Sequence, residues 1–240
     1  FIFLISCSGK DDTESKVDIF SQQGILLLGN GTEPSGIDPH IVTGVPEHKI
    51  LLALLEGLVI FNPKNNGVLP GVASDWSISK DGLIYTFIFN PDAKWTNGEI
   101  VKPEHFVYSW ERILSPELGA QYADMLYVLK NAESFHKGQI KDFNQVGVSA
   151  FENKLVVTLE NPTPYFLNIL THYSTWPVHP ETVEKFGGMT SRNNQWTRVN
   201  NFIGNGPFKL DSWEINKSLK VSRNDLYWGN DTNKINGIEF

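Results

Sequence analysis

The sequence predicts a mixed α/β fold (α+β in its element order), on three observations. Short apolar or alternating runs end at Gly, Pro or Asn, apolar positions at helical spacing interleave with them, and the composition is globular. With 240 residues, 40% of them hydrophobic, the chain can bury roughly 70% of its unfolded surface, which allows a sizeable core and excludes disorder. No segment approaches the roughly 20 consecutive apolar residues of a membrane-spanning helix. The longest apolar cluster, Ile50 to Phe61, is broken by Glu56 and Gly57. The net charge is -7 and the Lys and Arg residues are scattered, so the basic footprint of a nucleic-acid partner is missing.

The first apolar run, Ile25 to Leu28, ends at Gly29-Asn30-Gly31 and reads as a buried strand followed by a turn. Pro46-Glu47 opens a helix carried by Leu51, Leu52, Leu54 and Leu55 and stopped at Gly57. Leu58 to Phe61 is a strand, Asn62 to Gly67 a hairpin turn, and Tyr85 to Phe89 an alternating strand that Asn90-Pro91 ends. Phe106, Trp110, Ile113 and Leu114 lie on one face of a second helix from Pro103 to Leu114. Helical stretches are also expected over Tyr122 to Leu129, Pro164 to Tyr173 and Thr182 to Phe186, with a strand at Leu155 to Leu159. The last strands are Gly206 to Leu210, Leu219 to Val221 and Ile238 to Phe240. Trp76, Trp95, Trp110 and Trp213 are expected in the core, where bulky aromatics bury most area.

The single cysteine excludes an internal disulfide and a Cys-rich metal cluster. Cys7 follows the apolar run Phe1 to Ile5 and the small Ser6, and precedes the polar tract Ser8 to Lys16. That arrangement resembles the end of a bacterial lipoprotein signal, with Leu4 three before the Cys and Ser6 directly before it. Cys7 would then be the lipidated residue, holding the body of the protein at a membrane surface. The start at Phe1 without Met or a basic region reads as a truncated precursor, and the end at Phe240 as a cut strand.

Catalytic signatures are missing from the sequence. There is no Gly-x-Ser-x-Gly elbow, and neither Gly29-Asn30-Gly31 nor Gly204-Asn205-Gly206 continues into a phosphate loop. The six His residues are dispersed, and none forms the helical His-Glu-His pattern of a zinc protease. No catalytic residue, metal ligand or cofactor is expected, and the pattern is that of a binder.

Ile84 to Glu99 followed by His105 to Trp110 is long and idiosyncratic. Together with Ile37-Asp38-Pro39-His40, Thr43 to Glu47, Pro162 to Phe166, Ile203 to Leu210 and Asn224 to Gly229, it resembles the large peptide/nickel class of solute-binding proteins that serve ABC importers. Gly44-Val45-Pro46-Glu47 after Asp38-Pro39-His40 is similar to the oligopeptide-binding subgroup.

The resemblance implies a two-lobed type II periplasmic-binding-protein fold, of which this chain supplies the N-terminal lobe and a small class-specific subdomain. Its expected divisions are a truncated signal and tether over 1–23, a first-lobe segment over 24–57, the subdomain over 58–190 and a return to the first lobe over 191–240. It implies a monomeric, lipid-anchored receptor at the cell surface or in the periplasm that captures oligopeptides for ABC permease subunits. Relatives of the class bind nickel complexes, haem or oligosaccharides, and a hydrolase or chaperone-like use of the scaffold is the alternative of a different kind. The segment matching the peptide-pairing strand is Thr43-Gly44-Val45, the cleft aromatic corresponds to Tyr122, and Asn205 and Gly206 lie in the crossing segment near the hinge. Gly44 also reads as a plain turn residue and Tyr122 as a core aromatic. Thr43 stands where the oligopeptide type commonly has an acid, which removes a carboxylate partner for a basic ligand. Lys102 replaces the usual Thr cap before Pro103, a loss of about 1 kcal/mol.

Overall fold

The structure is a computed structural model and describes residues 14–193 and 195–240. Cys7 and the expected lipoprotein signal lie outside the described residues. The polar tract read as a tether over 1–23 becomes helical before its end. Helix α1 (Lys16–Gln22) starts at a capping box, in which the Ser15 hydroxyl accepts from the Asp18 N–H and the Asp18 carboxylate accepts from Ser15. Gly24, at φ +70, then turns the chain into strand β1 (Ile25–Leu27). This strand sits at a sheet edge with Leu26 45% exposed, so the expected buried strand is half-buried instead.

A loop leads to helix α2 (Val45–Leu54), with Pro46 in its first turn and Leu55 closing it through a bond to the Leu51 carbonyl. Strands β2 (Val59–Asn62) and β3 (Gly67–Pro70) form a separate hairpin, turned at Asn66 with φ 56. Strands β4 (Ala73–Ile78) and β5 (Ile84–Phe89) follow, then helix α3 (Pro103–Leu114) and the short helix α4 (Ala132–His136). Strands β6 (Val148–Phe151) and β7 (Lys154–Thr158) complete an antiparallel sheet of order β4-β5-β7-β6. Helices α5 (Phe166–Ile169) and α6 (Pro180–Lys185) are short. Strands β8 (Phe208–Glu214), β9 (Ser218–Arg223) and β10 (Gly237–Glu239) make the other large sheet, of order β1-β10-β9-β8. Within it β1 pairs parallel to β10, Ile25 opposite Gly237, and the remaining pairs are antiparallel.

Two helical expectations shrink. Tyr122 to Leu129 contains only the 3-10 turn Ala123–Leu126, because Leu129 is drawn into an antiparallel bridge with Leu159 and Lys130 N–H bonds to the Thr158 carbonyl. Pro164 to Tyr173 yields only α5 before the 3-10 turn Tyr173–Thr175, whose Ser174 N–H is capped by the His172 ring. The core is continuous from α2 and α3 into both large sheets. Trp95 and Trp110 are fully buried in it, and Phe106 meets Phe89 edge-on at 5.4 Å. Trp76 and Trp213 are only partly buried, a correction to the core reading of both.

A buried ionic anchor fixes the loop before α2. The Arg112 guanidinium, on α3, donates to both Asp38 oxygens at 2.9 and 2.6 Å and to His40 Nδ1 at 2.8 Å. His40 Nε2 then faces the Trp176 carbonyl at 3.0 Å. Burial alone would raise the Asp38 carboxyl, but Arg112 outweighs it and holds it below the usual range. Burial, and then the Arg112 charge, push His40 down to about 3, so the ring is a neutral acceptor. The Asp38-Pro39-His40 segment is thus an architectural lock. At the start of α3, His105 Nδ1 accepts from the Lys102 N–H at 3.1 Å, which ties the cap residue to the helix, while Lys102 offers no side-chain acceptor to the first N–H groups of α3.

Candidate ligand-binding site

The anchored loop brings Thr43, Gly44 and Val45 to the surface, with Gly44 extended and Val45 already the first residue of α2. Gly44 has φ −91 and ψ 157, and Val45 is 71% exposed. Among the described residues the N–H groups of Thr43, Gly44 and Val45 have no protein acceptor, and the Thr43 carbonyl receives only the Tyr122 hydroxyl, at 3.3 Å. Exposed backbone donors and acceptors of this kind pair with an added extended chain. Glu47, on the first turn of α2, fixes the segment from below. Its Oε1 accepts from Ser35 N–H at 2.6 Å and Ser35 Oγ at 2.8 Å. Its buried Oε2 has no hydrogen-bond partner among the described residues. A Cβ on residue 44 would come within 2.0 Å of that oxygen, so the latch requires glycine there.

Tyr122 stands beside this segment with an aromatic group behind it. Its ring meets His172 edge-on at 5.0 Å and Tyr173 at 6.2 Å, and the Tyr173 hydroxyl donates to the Val42 carbonyl at 3.0 Å. Burial keeps His172 down at about 4 and hence uncharged at neutral pH. Next to Thr43 opens a cavity of about 590 Å³, bordered by Ile41, Val42 and Thr43 on one side and Arg192, Arg198 and Trp213 on the other. The Trp213 indole N–H is fixed by Glu33 at 2.7 Å.

The structure brings Thr43, Gly44, Val45 and Tyr122 together but sets Asn205 and Gly206 apart. Asn205 is buried, and its amide clamps residue 56 of the chain, accepting from Glu56 N–H at 3.0 Å and donating to the Glu56 carbonyl at 2.9 Å. Gly206 N–H bonds the Leu54 carbonyl, and a Cβ there would lie 2.6 Å from that carbonyl carbon. The crossing segment therefore presses backbone against backbone at the C-terminal end of α2. Beside it the buried Glu56 carboxylate accepts from the Tyr227 hydroxyl and, at 2.7 Å, from Trp228 Nε1. Burial raises Glu56 to about 7, the two hydrogen bonds opposing only part of the rise. Glu47 and Glu56 were not legible as site components. Glu47 carried one signal, its place three residues after Gly44 at a helix start. Glu56 carried none beyond an acid inside an apolar run.

Comparison with known proteins places the chain in a class. Residues 67–240 match the family model of bacterial extracellular solute-binding proteins, family 5 (middle region), and the chain belongs to that family. It is 35% identical over 223 residues to the periplasmic oligopeptide-binding protein OppA of Escherichia coli, covering 92% of this chain and 39% of that one. It is 34% identical to the dipeptide-binding protein DppE of Bacillus subtilis, covering 97% and 41%. Among solved structures it is similar to Haemophilus influenzae OppA in complex with RPPGFSPFR, with TM-score 0.84, 35% identity, and coverage of 91% and 42%. The fold is accordingly that of type II periplasmic binding proteins, and the chain spans about two fifths of the length of the relatives it matches.

Proposed function

We propose that this chain is part of an extracytoplasmic receptor that captures oligopeptides and hands them to the permease of an ABC importer, without chemistry of its own. The observation that carries the reading is the surface run Thr43-Gly44-Val45 beside Tyr122, extended at Gly44 as it enters α2, whose N–H groups have no protein acceptor among the described residues. An extended peptide adds to such an edge through main-chain bonds, which give affinity without a demand on side-chain sequence. The bordering polar cavity has room for side chains and water. Peptide-binding relatives on the same fold support the ligand class. Asn205 and Gly206 act in this reading by holding the crossing segment rather than by touching the peptide.

The division of the chain into a first lobe over 24–57 and 191–240 and a subdomain over 58–190 is supported by how strands segregate. One large sheet takes its strands only from 25–27 and 208–239, the other only from 73–158. The receptor works as a monomer tethered to a bacterial membrane through Cys7. Replacing Cys7 by Ser, with the complete signal present, is expected to release the protein from membranes, and continued membrane association would contradict the anchor.

The reading is tested by expressing the protein with whatever its reading frame carries on either side, denaturing it and identifying what it releases by mass spectrometry. A ladder of short peptides of mixed sequence is the expected result. A nickel complex, haem or a sugar would overturn the ligand class, and hydrolysed peptide products would overturn the absence of chemistry.

A further inference from the structure

Three side chains that the sequence scatters meet away from the Thr43–Tyr122 region. We propose that Glu99, His179 and Glu181 form a binding site for a divalent transition ion, zinc or one of similar chemistry, between the 95–99 turn and the first turn of α6. The turn is rigid. Gly98 takes φ 93, Trp95 N–H bonds the Glu99 carbonyl at 2.8 Å, Gly98 N–H bonds the Trp95 carbonyl at 2.9 Å, and Asn97 Oδ1 accepts from Glu99 N–H at 3.1 Å. Glu99 therefore projects from a fixed backbone.

His179 is buried, and its orientation is set from two sides. Its ring packs edge-on against fully buried Trp95 at 5.2 Å, and its Nδ1 lies 2.8 Å from Thr182 Oγ1 and 3.3 Å from Thr182 N. That leaves Nε2 directed outward, 2.9 Å from Glu99 Oε2 and 3.6 Å from Glu181 Oε2. One ligand atom from each residue lies within 4.8 Å of the other two. Tetrahedral zinc with bonds of about 2.1 Å to nitrogen and oxygen places its ligand atoms about 3.4 Å apart, and the two observed separations bracket that value.

The charge arrangement points the same way. A single N–H on Nε2 serves one carboxylate, and Glu99 takes it. Glu181 is left beside the ring without a Lys or Arg in ion-pair range among the described residues. An ion at Nε2 would serve both carboxylates together; the neutral ring then carries its proton on Nδ1, donates it to Thr182 Oγ1 and gives up the bond that Nδ1 accepts from the Thr182 N–H in the ion-free fold. One imidazole and two carboxylates suit zinc or cobalt, whereas calcium takes oxygen alone. Glu99 and His179 are 80 residues apart, so the ion would cross-link two distant segments of the chain.

Calorimetric titration with zinc alone tests the proposal, using the protein with its full reading frame in a Cys7→Ser background that removes the thiol. The expected result is one zinc per chain, affinity at least tenfold weaker in both Glu99→Gln and Glu181→Gln, and a zinc-dependent rise in Tm of about 5 °C that both variants lose. These two carboxylates are exposed, at 56% and 67%, so the variants keep the fold intact where His179→Ala would unsettle a buried ring. Absence of zinc binding, or binding unchanged in either Gln variant, overturns the three-ligand site.

Discussion

Glu56 shows how a single buried acid sets the pH response of this fold. Folded, it keeps its proton up to about pH 7, whereas unfolded it releases it near 4.5. A raised acid contributes stability that is complete below its unfolded value and is lost as pH climbs to the folded value, here about 3 kcal/mol in total. His40, His105 and His172 act in the opposite sense. Burial lowers them from 6.5 to about 3, 4 and 4, so their contribution is present above 6.5 and is lost as pH falls towards those values. Between about pH 4.5 and 7 the Glu56 loss therefore opposes the larger gain from the three histidines, and stability is expected to rise with pH to a plateau just above pH 7. Glu56→Gln keeps an acceptor for Trp228 and removes the opposing contribution, so its stability should rise more steeply between pH 5 and 7. Urea unfolding of both proteins from pH 5 to 8 checks this, and an identical slope in the variant would contradict it. At this scale the sequence was readable for Thr43, Gly44, Val45 and Tyr122, which converge, because a short contiguous segment and one aromatic carry the pattern. It was silent on partners such as Asn205 with Glu56, whose meeting depends on segments 149 residues apart.

Among the elements, α3 holds the ligand-side loop in place, and it does so through charge as well as apolar packing. Arg112 is fully buried and pairs with Asp38 and His40, so its removal leaves a carboxylate without compensation. Arg112→Leu should destabilise by about 3–5 kcal/mol and lower Tm by roughly 10 °C. Asp38→Asn added to Arg112→Leu should recover part of that loss. A double-mutant cycle by thermal unfolding measures the coupling, and strictly additive losses would show that the two residues do not act as a pair. The elements legible in sequence were those with a sustained period and clear stops. Helix α2 carries Pro46 in its first turn, α3 begins at Pro103, and β5 alternates before Asn90-Pro91. Strands β4 and β6 escaped notice because they lie at sheet edges, where solvent-facing Ser74, Asp75 and Ser77, or Phe151, dilute the apolar alternation. The 122–129 stretch misled because its apolar spacing serves a single 3-10 turn and then a strand bridge.

For the molecule as a whole, the fold is a frame that carries the Thr43-Gly44-Val45 run, where the loop enters α2, to the surface. The Asp38–Arg112 lock and the Ser35–Glu47 latch position it, while Asn205 ties the crossing segment to the end of α2. The mixed α/β class was readable because strand and helix signals alternate along the whole length, whereas the pairing of β1 with β10 was not, since it joins residues over 200 positions apart. The central claim is that a peptide ligand pairs with the backbone at Thr43, Gly44 and Val45. Amide hydrogen exchange followed residue by residue, in the protein expressed with its full reading frame, tests this most directly. With saturating short peptides the N–H groups of this run that face the ligand should exchange at least tenfold more slowly than without, because each then gains an acceptor, while those facing away are unchanged. Exchange at all three that is unchanged by a peptide shown to bind would contradict the account and place the ligand elsewhere on the molecule.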